Sequence, residues 1–197
     1  RYWSRPQSLE SAATNPYFSA MPARKKLFPD ASGDLFEPTP AVATTPAGLR
    51  YAPDLFSPAA EQGFVATFQT LPFKPFEFHG YRGNRRIVSY GYRYDYADRT
   101  LRSADAMPGF LAPLREIASL FSGIAEDKLE QALVTEYAPG AGIGWHRDKP
   151  MFEDVVALSF LAPCPLRLRR QDGAGWQRQS ITIAPRSGYL LHGAVRS

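Results

Sequence analysis

Two side chains that can bind a metal ion stand two residues apart in this 197-residue sequence, at His146 and Asp148. In a strand, alternate residues project from the same face, so a strand here would aim both side chains at one ion. An imidazole nitrogen and a carboxylate oxygen suit borderline divalent metals, and one more histidine would complete the facial triad of non-haem iron sites. The pair alone is weak evidence, because three-residue patterns of common residue types often arise by chance.

Upstream of the pair, the segment 79–102 mixes cations with aromatic rings. Its arginines could contact phosphates and its tyrosines could stack on bases. The same composition is typical of a solvated sheet edge with tyrosines half in the core, and residue types alone do not separate the two interpretations. The side chains that form this pattern are Tyr81, Arg82, Arg85, Arg86, Tyr90, Tyr92, Arg93, Tyr94, Tyr96, Arg99 and Arg102.

The elements that must position these side chains can be predicted from turn residues and hydrophobic spacing. Ser57-Pro58 predicts a helix over residues 58–70, and Pro108 opens a second helical segment that Ser122-Gly123 ends. From residue 133 onward, short strands divided by turns indicate a sandwich or jelly roll. The strands are predicted at residues 133–138, 144–148, 155–161, 166–170, 177–183 and 189–192, with the fourth and fifth joined by a turn at residues 172–175.

Length and composition indicate one domain with an extension. Residues 1–53 are rich in proline and lack a sustained period, so we expect an arm that lies on the domain, is partly disordered or includes added sequence. Residues 54–197 are expected to form the domain, of α+β class and mainly β. The single cysteine, Cys164, and the absence of a long apolar run predict a cytoplasmic protein without a membrane span, and we expect a monomer.

A longer stretch around the pair resembles the core signature of the AlkB family. The stretch contains Tyr137-Ala138-Pro139-Gly140, a glycine-containing turn, Trp145-His146-Arg147-Asp148 and Val155-Val156-Ala157-Leu158-Ser159. Further matches are Arg85-Arg86-Ile87-Val88-Ser89-Tyr90-Gly91-Tyr92 upstream and Pro185-Arg186-Ser187-Gly188-Tyr189-Leu190-Leu191 downstream. The resemblance covers residues 75–197, and its ordered set of pieces is more specific than any single piece.

This resemblance implies a double-stranded β-helix, or jelly roll, with supporting N-terminal helices. It also implies an enzyme that uses iron(II), 2-oxoglutarate and dioxygen to hydroxylate a methyl group on a nucleic-acid base, which then releases formaldehyde. Alkylated DNA or RNA is the partner that this reaction implies. The alternatives are a related hydroxylase of tRNA or protein, a zinc hydrolase on the same ligands and, from another class, a catalytically degenerate basic nucleic-acid-binding module.

The resemblance also assigns roles to residues. His146 and Asp148 would be the catalytic metal ligands, Tyr137 would hydrogen-bond 2-oxoglutarate, and Thr135 stands where many members have asparagine. His192 is a candidate third ligand, but the family places its last ligand and two co-substrate-binding arginines farther along, so we expect them beyond Ser197 in a longer chain. Substrate contacts are expected from Phe78, His79, Tyr81, Arg86, Tyr90, Tyr92, Arg93 and Tyr94.

Overall fold

The computed structural model describes residues 45–78 and 81–196. These residues form ten strands and two α-helices, and the predicted α+β, mainly β class is confirmed. In chain order the elements are β1 (Leu49–Ala52), α1 (Pro58–Phe68), β2 (Lys74–Phe78), β3 (Tyr81–Tyr90), β4 (Tyr92–Asp95), β5 (Thr100–Ser103), α2 (Ala112–Ser122), β6 (Ala132–Tyr137), β7 (Val155–Leu158), β8 (Cys164–Asp172), β9 (Gly175–Ile183) and β10 (Gly188–Leu191).

Among the described residues, the strands form four sheets in which neighbouring strands are antiparallel. One sheet has the order β1-β10-β7 and another the order β2-β3-β6, while β4–β5 and β8–β9 are two-stranded. In the first sheet Tyr189 pairs with Tyr51 on one side and with Ala157 on the other. In the second, Ile87 pairs with Thr135.

Both predicted helices are confirmed, and their ends follow from local chemistry. The Ser57 hydroxyl accepts a hydrogen bond from the Ala60 amide at 3.1 Å, and Pro58 occupies the first turn, where its missing N–H costs nothing. A short 3₁₀ turn precedes α2, and Gly123 ends this helix with a φ of 76°, which a residue without a Cβ adopts easily.

The hydrophobic core lies between the two helices and one face of the sheets. Phe56 packs against Phe64 with ring centres 5.9 Å apart and against Phe160 at 5.1 Å. Val134 of β6 contacts this core. Because alternate residues of a strand point to opposite faces, Thr135 and the end of β6 at residue 137 present the face away from the helices. The candidate site residues of β6 therefore lie outside the helix-covered core.

Strands were predicted only from residue 133 onward, but five strands, β1–β5, precede β6 in the structure. The arginine- and tyrosine-rich segment supplies β3 and β4, so much of it is sheet. β1 lies within the range predicted as an extension and pairs along its length with β10. No helix in the described part of the chain has the length and apolar character needed to cross a bilayer.

Candidate metal centre

The His146–Asp148 pair lies in the loop that joins β6 to β7. The predicted strand at residues 144–148 is wrong, because these residues form no ladder with any described strand. The His146 ring instead donates a hydrogen bond from Nδ1 to the Gly144 carbonyl oxygen at 2.8 Å. Such a local side-chain bond competes with the hydrogen bonds of a ladder, and Gly140, with a φ of 76°, bends the chain before it.

The two side chains nevertheless converge. Nε2 of His146 lies 3.3 Å from Oδ1 of Asp148. Since Nδ1 carries the proton donated to the carbonyl of Gly144, Nε2 of the neutral ring keeps a lone pair for a metal ion. Two ligand atoms at right angles and about 2.1 Å from an ion are separated by about 3.0 Å. The spacing of the pair and its donor atoms therefore fit one divalent metal ion.

The electrostatics of the pair favour the charged forms of both groups. The hydrogen bond with Asp148 raises the pKa of His146 above its ordinary value, although partial burial opposes this effect. The same hydrogen bond holds the pKa of Asp148 below its usual range, burial opposes it, and the positive charge of Arg196 adds to it. A metal ion that binds the pair would have to replace the hydrogen bond between His146 and Asp148.

Arg196 contacts Asp148 and the loop that follows it. Its side chain is only 9% exposed, and Nη1 lies 4.0 Å from Oδ2 of Asp148. Nε donates to the Glu153 carbonyl oxygen at 2.7 Å, while Nη2 donates to the carbonyl oxygens of Lys149, at 2.7 Å, and Phe152. One guanidinium therefore contacts the candidate metal-binding carboxylate and fixes three backbone carbonyls beside it. The sequence analysis missed this arginine.

Tyr189 of β10 lies near both Asp148 and Tyr137, the residue predicted to bind 2-oxoglutarate. Burial raises the pKa of Tyr189 to about 12, and the nearby Tyr137 and Asp148 contribute to the rise. Its hydroxyl is therefore protonated at neutral pH and can donate a hydrogen bond. Tyr137, at the end of β6, is half exposed, and Thr135 lies on the same face of that strand. The sequence analysis identified Tyr137 and Thr135 but missed Tyr189.

An aromatic cluster with a cation lies beside the pair. The Lys149 ammonium stands 4.7 Å from the centre of the Tyr94 ring and 5.5 Å from that of Tyr96. The two tyrosine rings are 4.9 Å apart, and Phe76 lies 5.7 Å from Tyr96. Burial raises the pKa of Tyr96, and the charge of Asp148 contributes to it. Tyr94 was among the predicted substrate contacts, whereas Tyr96, Lys149 and Phe76 were not.

Arg85 lies at the edge of this cluster. Its guanidinium stands 3.8 Å from the centre of the Phe76 ring, and its charge acts to lower the pKa of His146. The Nε atom of Arg85 is buried and has no hydrogen-bond partner among the described residues. A buried donor without an acceptor is unfavourable, so the position of this nitrogen costs stability in the structure.

The other predicted substrate residues are placed differently. Tyr90 is only 8% exposed and belongs to the hydrophobic core, where its ring meets Phe110 edge to face. Nη2 of Arg86 donates to both carboxylate oxygens of Glu136 on the neighbouring strand, at 2.9 and 2.8 Å. Of the remaining predicted substrate residues, Tyr92 is exposed at the start of β4, and the guanidinium of Arg93 lies 3.9 Å from the carboxylate of Asp95. The side chains of Phe78, His79 and Tyr81 lie outside the part of the chain that the structure describes.

His192 follows β10 and is exposed. Its amide donates a hydrogen bond to the Gly48 carbonyl oxygen at 2.9 Å, which fixes the backbone at the end of the strand. Within residues 45–78 and 81–196, no three His, Cys, Asp or Glu side chains gather closely enough to hold a metal ion. The structure therefore brings His146 and Asp148 together but does not add His192 to them.

The chain resembles known proteins in its sequence and in its fold. A family model described as the 2OG-Fe(II) oxygenase superfamily matches residues 48–197. The fold is similar to the solved structure of OsALKBH1, with a TM-score of 0.56 and 15% sequence identity over 76% of this chain and 81% of that one. At this identity the likeness concerns the fold, and it confirms the predicted jelly roll. No curated protein sequence matches the chain.

Proposed function

Because the chain belongs to the 2OG-Fe(II) oxygenase superfamily, whose members use Fe(II), 2-oxoglutarate and O2, we propose that it oxidatively demethylates alkylated bases of nucleic acids. The observation that carries this proposal is the cluster of Tyr94, Tyr96 and Lys149 beside the His146–Asp148 pair. The cluster combines ring surfaces for a base with a positive charge for the phosphate strand.

The residues present fit the two small-molecule groups that this chemistry requires. His146 and Asp148 would hold the metal ion, and Tyr137 would hydrogen-bond 2-oxoglutarate beside it. Once bound, these groups supply the oxidising power for hydroxylation of a methyl carbon on nitrogen. The protein contributes a fixed imidazole tautomer, through the bond from Nδ1 to Gly144, and a carboxylate held by Arg196.

The aromatic cluster would receive the methylated base. Taking a base out of its stack costs a few kcal/mol, which contacts with protein rings must offset. Tyr94 and Tyr96 are partly exposed, with rings edge to face at an angle of 81°. A base that enters between them and the metal pair would bring its methyl group toward the reacting centre. Lys149, the residue after Asp148, would lie close to the adjoining phosphate.

Formaldehyde release tests the proposal. The purified protein would be supplied with Fe(II), 2-oxoglutarate and ascorbate, and incubated with N-methylated single-stranded DNA, the matching duplex, methylated tRNA and a methylated protein. We expect formaldehyde from a nucleic-acid substrate, none from the same sequence without methyl groups, and none from the His146→Ala variant. If 2-oxoglutarate is consumed but formaldehyde comes only from protein, or from no substrate, the proposed function is wrong.

A further inference from the structure

The β8–β9 hairpin carries a second group of cations and rings, outside the aromatic cluster described above. Paired residues of neighbouring strands, and alternate residues of one strand, project from the same face of a sheet. In the register of this hairpin Arg167 pairs with Ser180, Arg169 with Arg178, and Gln171 with Trp176. These six residues lie on one side of the hairpin, which we call the hairpin face.

Arg169 forms the centre of a stack on the hairpin face. Its guanidinium lies 4.2 Å from the ring centre of Trp176 and 4.6 Å from that of Trp145. Trp145 comes from the loop and directly precedes His146, so the stack is continuous with the candidate metal centre. Trp145 is 43% exposed and Trp176 is 47% exposed. Each ring therefore keeps surface for another flat group.

No described carboxylate compensates the charges of the hairpin face. Arg169 and Arg178 stand directly opposite each other, and like charges in this position are unfavourable. No carboxylate in the described part of the chain lies within ion-pair distance of Arg167, Arg169 or Arg178. An anion bound beside Arg167 and Arg178 would offset part of this repulsion.

An open depression offers room for such an anion. It has a volume of about 360 Å³ and is lined by Trp145, Arg167, Arg178, Gln179 and Ser180. On the opposite side of the hairpin, by contrast, the Arg170 guanidinium donates a hydrogen bond to the Gln177 side chain at 2.6 Å. The two sides of one hairpin thus differ, since only one combines opposed cations with exposed indoles.

We propose that the hairpin face binds single-stranded nucleic acid next to the nucleotide that enters the active site. Arg167 and Arg178 contact phosphates in the depression, and Trp145 and Trp176 stack on bases. Bases offer their ring faces freely only when a strand is unpaired. An acidic peptide would satisfy the arginines but would leave the exposed indoles without a role. This inference rests on the proposed function, because it assumes a nucleic-acid substrate for the same site.

Fluorescence anisotropy with a labelled, unmethylated single-stranded oligonucleotide tests the inference without added iron or 2-oxoglutarate. We expect Arg169→Gln and Arg178→Gln each to weaken binding at least fivefold. Arg178→Gln should also reduce the slope of log affinity against log salt concentration by about 0.7, which is the value for one phosphate contact on a single strand. Arg170→Gln is the matched control, since it removes the same charge from the opposite side, and its binding should stay within twofold of wild type.

A second measurement separates binding from folding. Because Arg178→Gln removes the repulsion with Arg169, its melting temperature should equal or exceed that of the wild type while its binding falls. Equal losses in all three variants would mean that only total charge matters, and wild-type binding in Arg169→Gln and Arg178→Gln would mean that the face is not used. Either result overturns the inference, as would polyglutamate competing as strongly as the oligonucleotide.

The inference and the proposed function can fail separately. If the hairpin variants lose binding but no nucleic acid yields formaldehyde, the face binds nucleic acid and the proposed demethylation is wrong. If formaldehyde is released and Arg178→Gln leaves both binding and KM unchanged, the inference about the hairpin is wrong. When both hold, Arg178→Gln raises KM for a methylated oligonucleotide and leaves kcat unchanged.

Discussion

Arg196 Nη1 lies 4.0 Å from Oδ2 of Asp148, while the other guanidinium nitrogens bond the carbonyl oxygens of the loop that follows this aspartate. His146 approaches the other carboxylate oxygen of Asp148 at 3.3 Å. The carboxylate is therefore held from two sides, and the loop cannot shift without breaking bonds to a nearly buried arginine. Such supporting contacts set the direction of a metal ligand and raise its affinity for the ion.

Replacing Arg196 by lysine should weaken metal binding about 10- to 100-fold, the usual effect of losing a contact behind a ligand. Lysine keeps the charge, but a single ammonium cannot span a carboxylate and three carbonyls as the planar guanidinium does. Titration with Mn(II), followed by tryptophan fluorescence, measures the affinity. Arg170→Lys is the control and should bind as the wild type does. Unchanged affinity in Arg196→Lys would show that charge alone matters at this position.

Metal affinity should also depend on the protonation of His146. The hydrogen bond with Asp148 raises the pKa of His146 above its ordinary value of 6.5. Because Nε2 must lose its proton to bind an ion, affinity should fall about tenfold per pH unit once the pH drops below this raised pKa. The same Mn(II) titration, repeated between pH 5.5 and 8.0 by about half-unit steps, measures this dependence. Affinity that stays constant below the His146 pKa measured by NMR would contradict the assignment.

Glu61 offers a test of what holds α1 to the sheets. It is 8% exposed, accepts a hydrogen bond from the Leu161 amide at 2.7 Å and pairs with Arg186 at 3.2 Å. Glu61→Ala leaves the Leu161 amide without its acceptor and leaves Arg186 with the longer contact to Asp54 at 3.6 Å, so we expect a loss of about 2 kcal/mol in the free energy of unfolding.

The exposed Arg86–Glu136 pair gives the matched comparison. Glu136→Ala breaks an ion pair of the same chemistry in solvent, and the expected loss is below about 1 kcal/mol. Urea denaturation of both variants at one pH measures the difference. Equal losses would show that burial of the Glu61 carboxylate does not determine its contribution.

Much of the fold could be predicted because its patterns are local. Ser57-Pro58 and Gly123 mark helix ends through bonds and angles of their own residues, and the turn at residues 172–175 fixes the β8–β9 register. Strands β3 and β4 were missed because arginine and tyrosine interrupt a simple apolar period there, and β1, β2 and β5 because they are only four or five residues long. Their pairing depends on partners that are distant in sequence, such as β6 for β3 and β10 for β1.

The residues of the candidate site could likewise be predicted only in part. His146, Asp148 and Tyr137 could be predicted from an ordered motif. Arg196 and Tyr189 could not, because their relation to the pair exists only after β10 packs beside β7 and the loop folds back. Tyr90 had the residue type of a base contact, but its place on β3 turns it into the core. Residue type gives the chemistry available, and tertiary packing decides where each side chain points.

Succinate formation measured with and without Fe(II) tests most directly whether His146 and Asp148 form the metal site of an oxygenase. The wild-type protein should convert 2-oxoglutarate to succinate only when iron is present, and a methylated single-stranded oligonucleotide should increase the rate. His146→Ala and Asp148→Ala should lose this iron-dependent succinate, whereas Arg170→Gln should retain it. Succinate formed at the wild-type rate by either ligand variant would contradict the assignment of the pair.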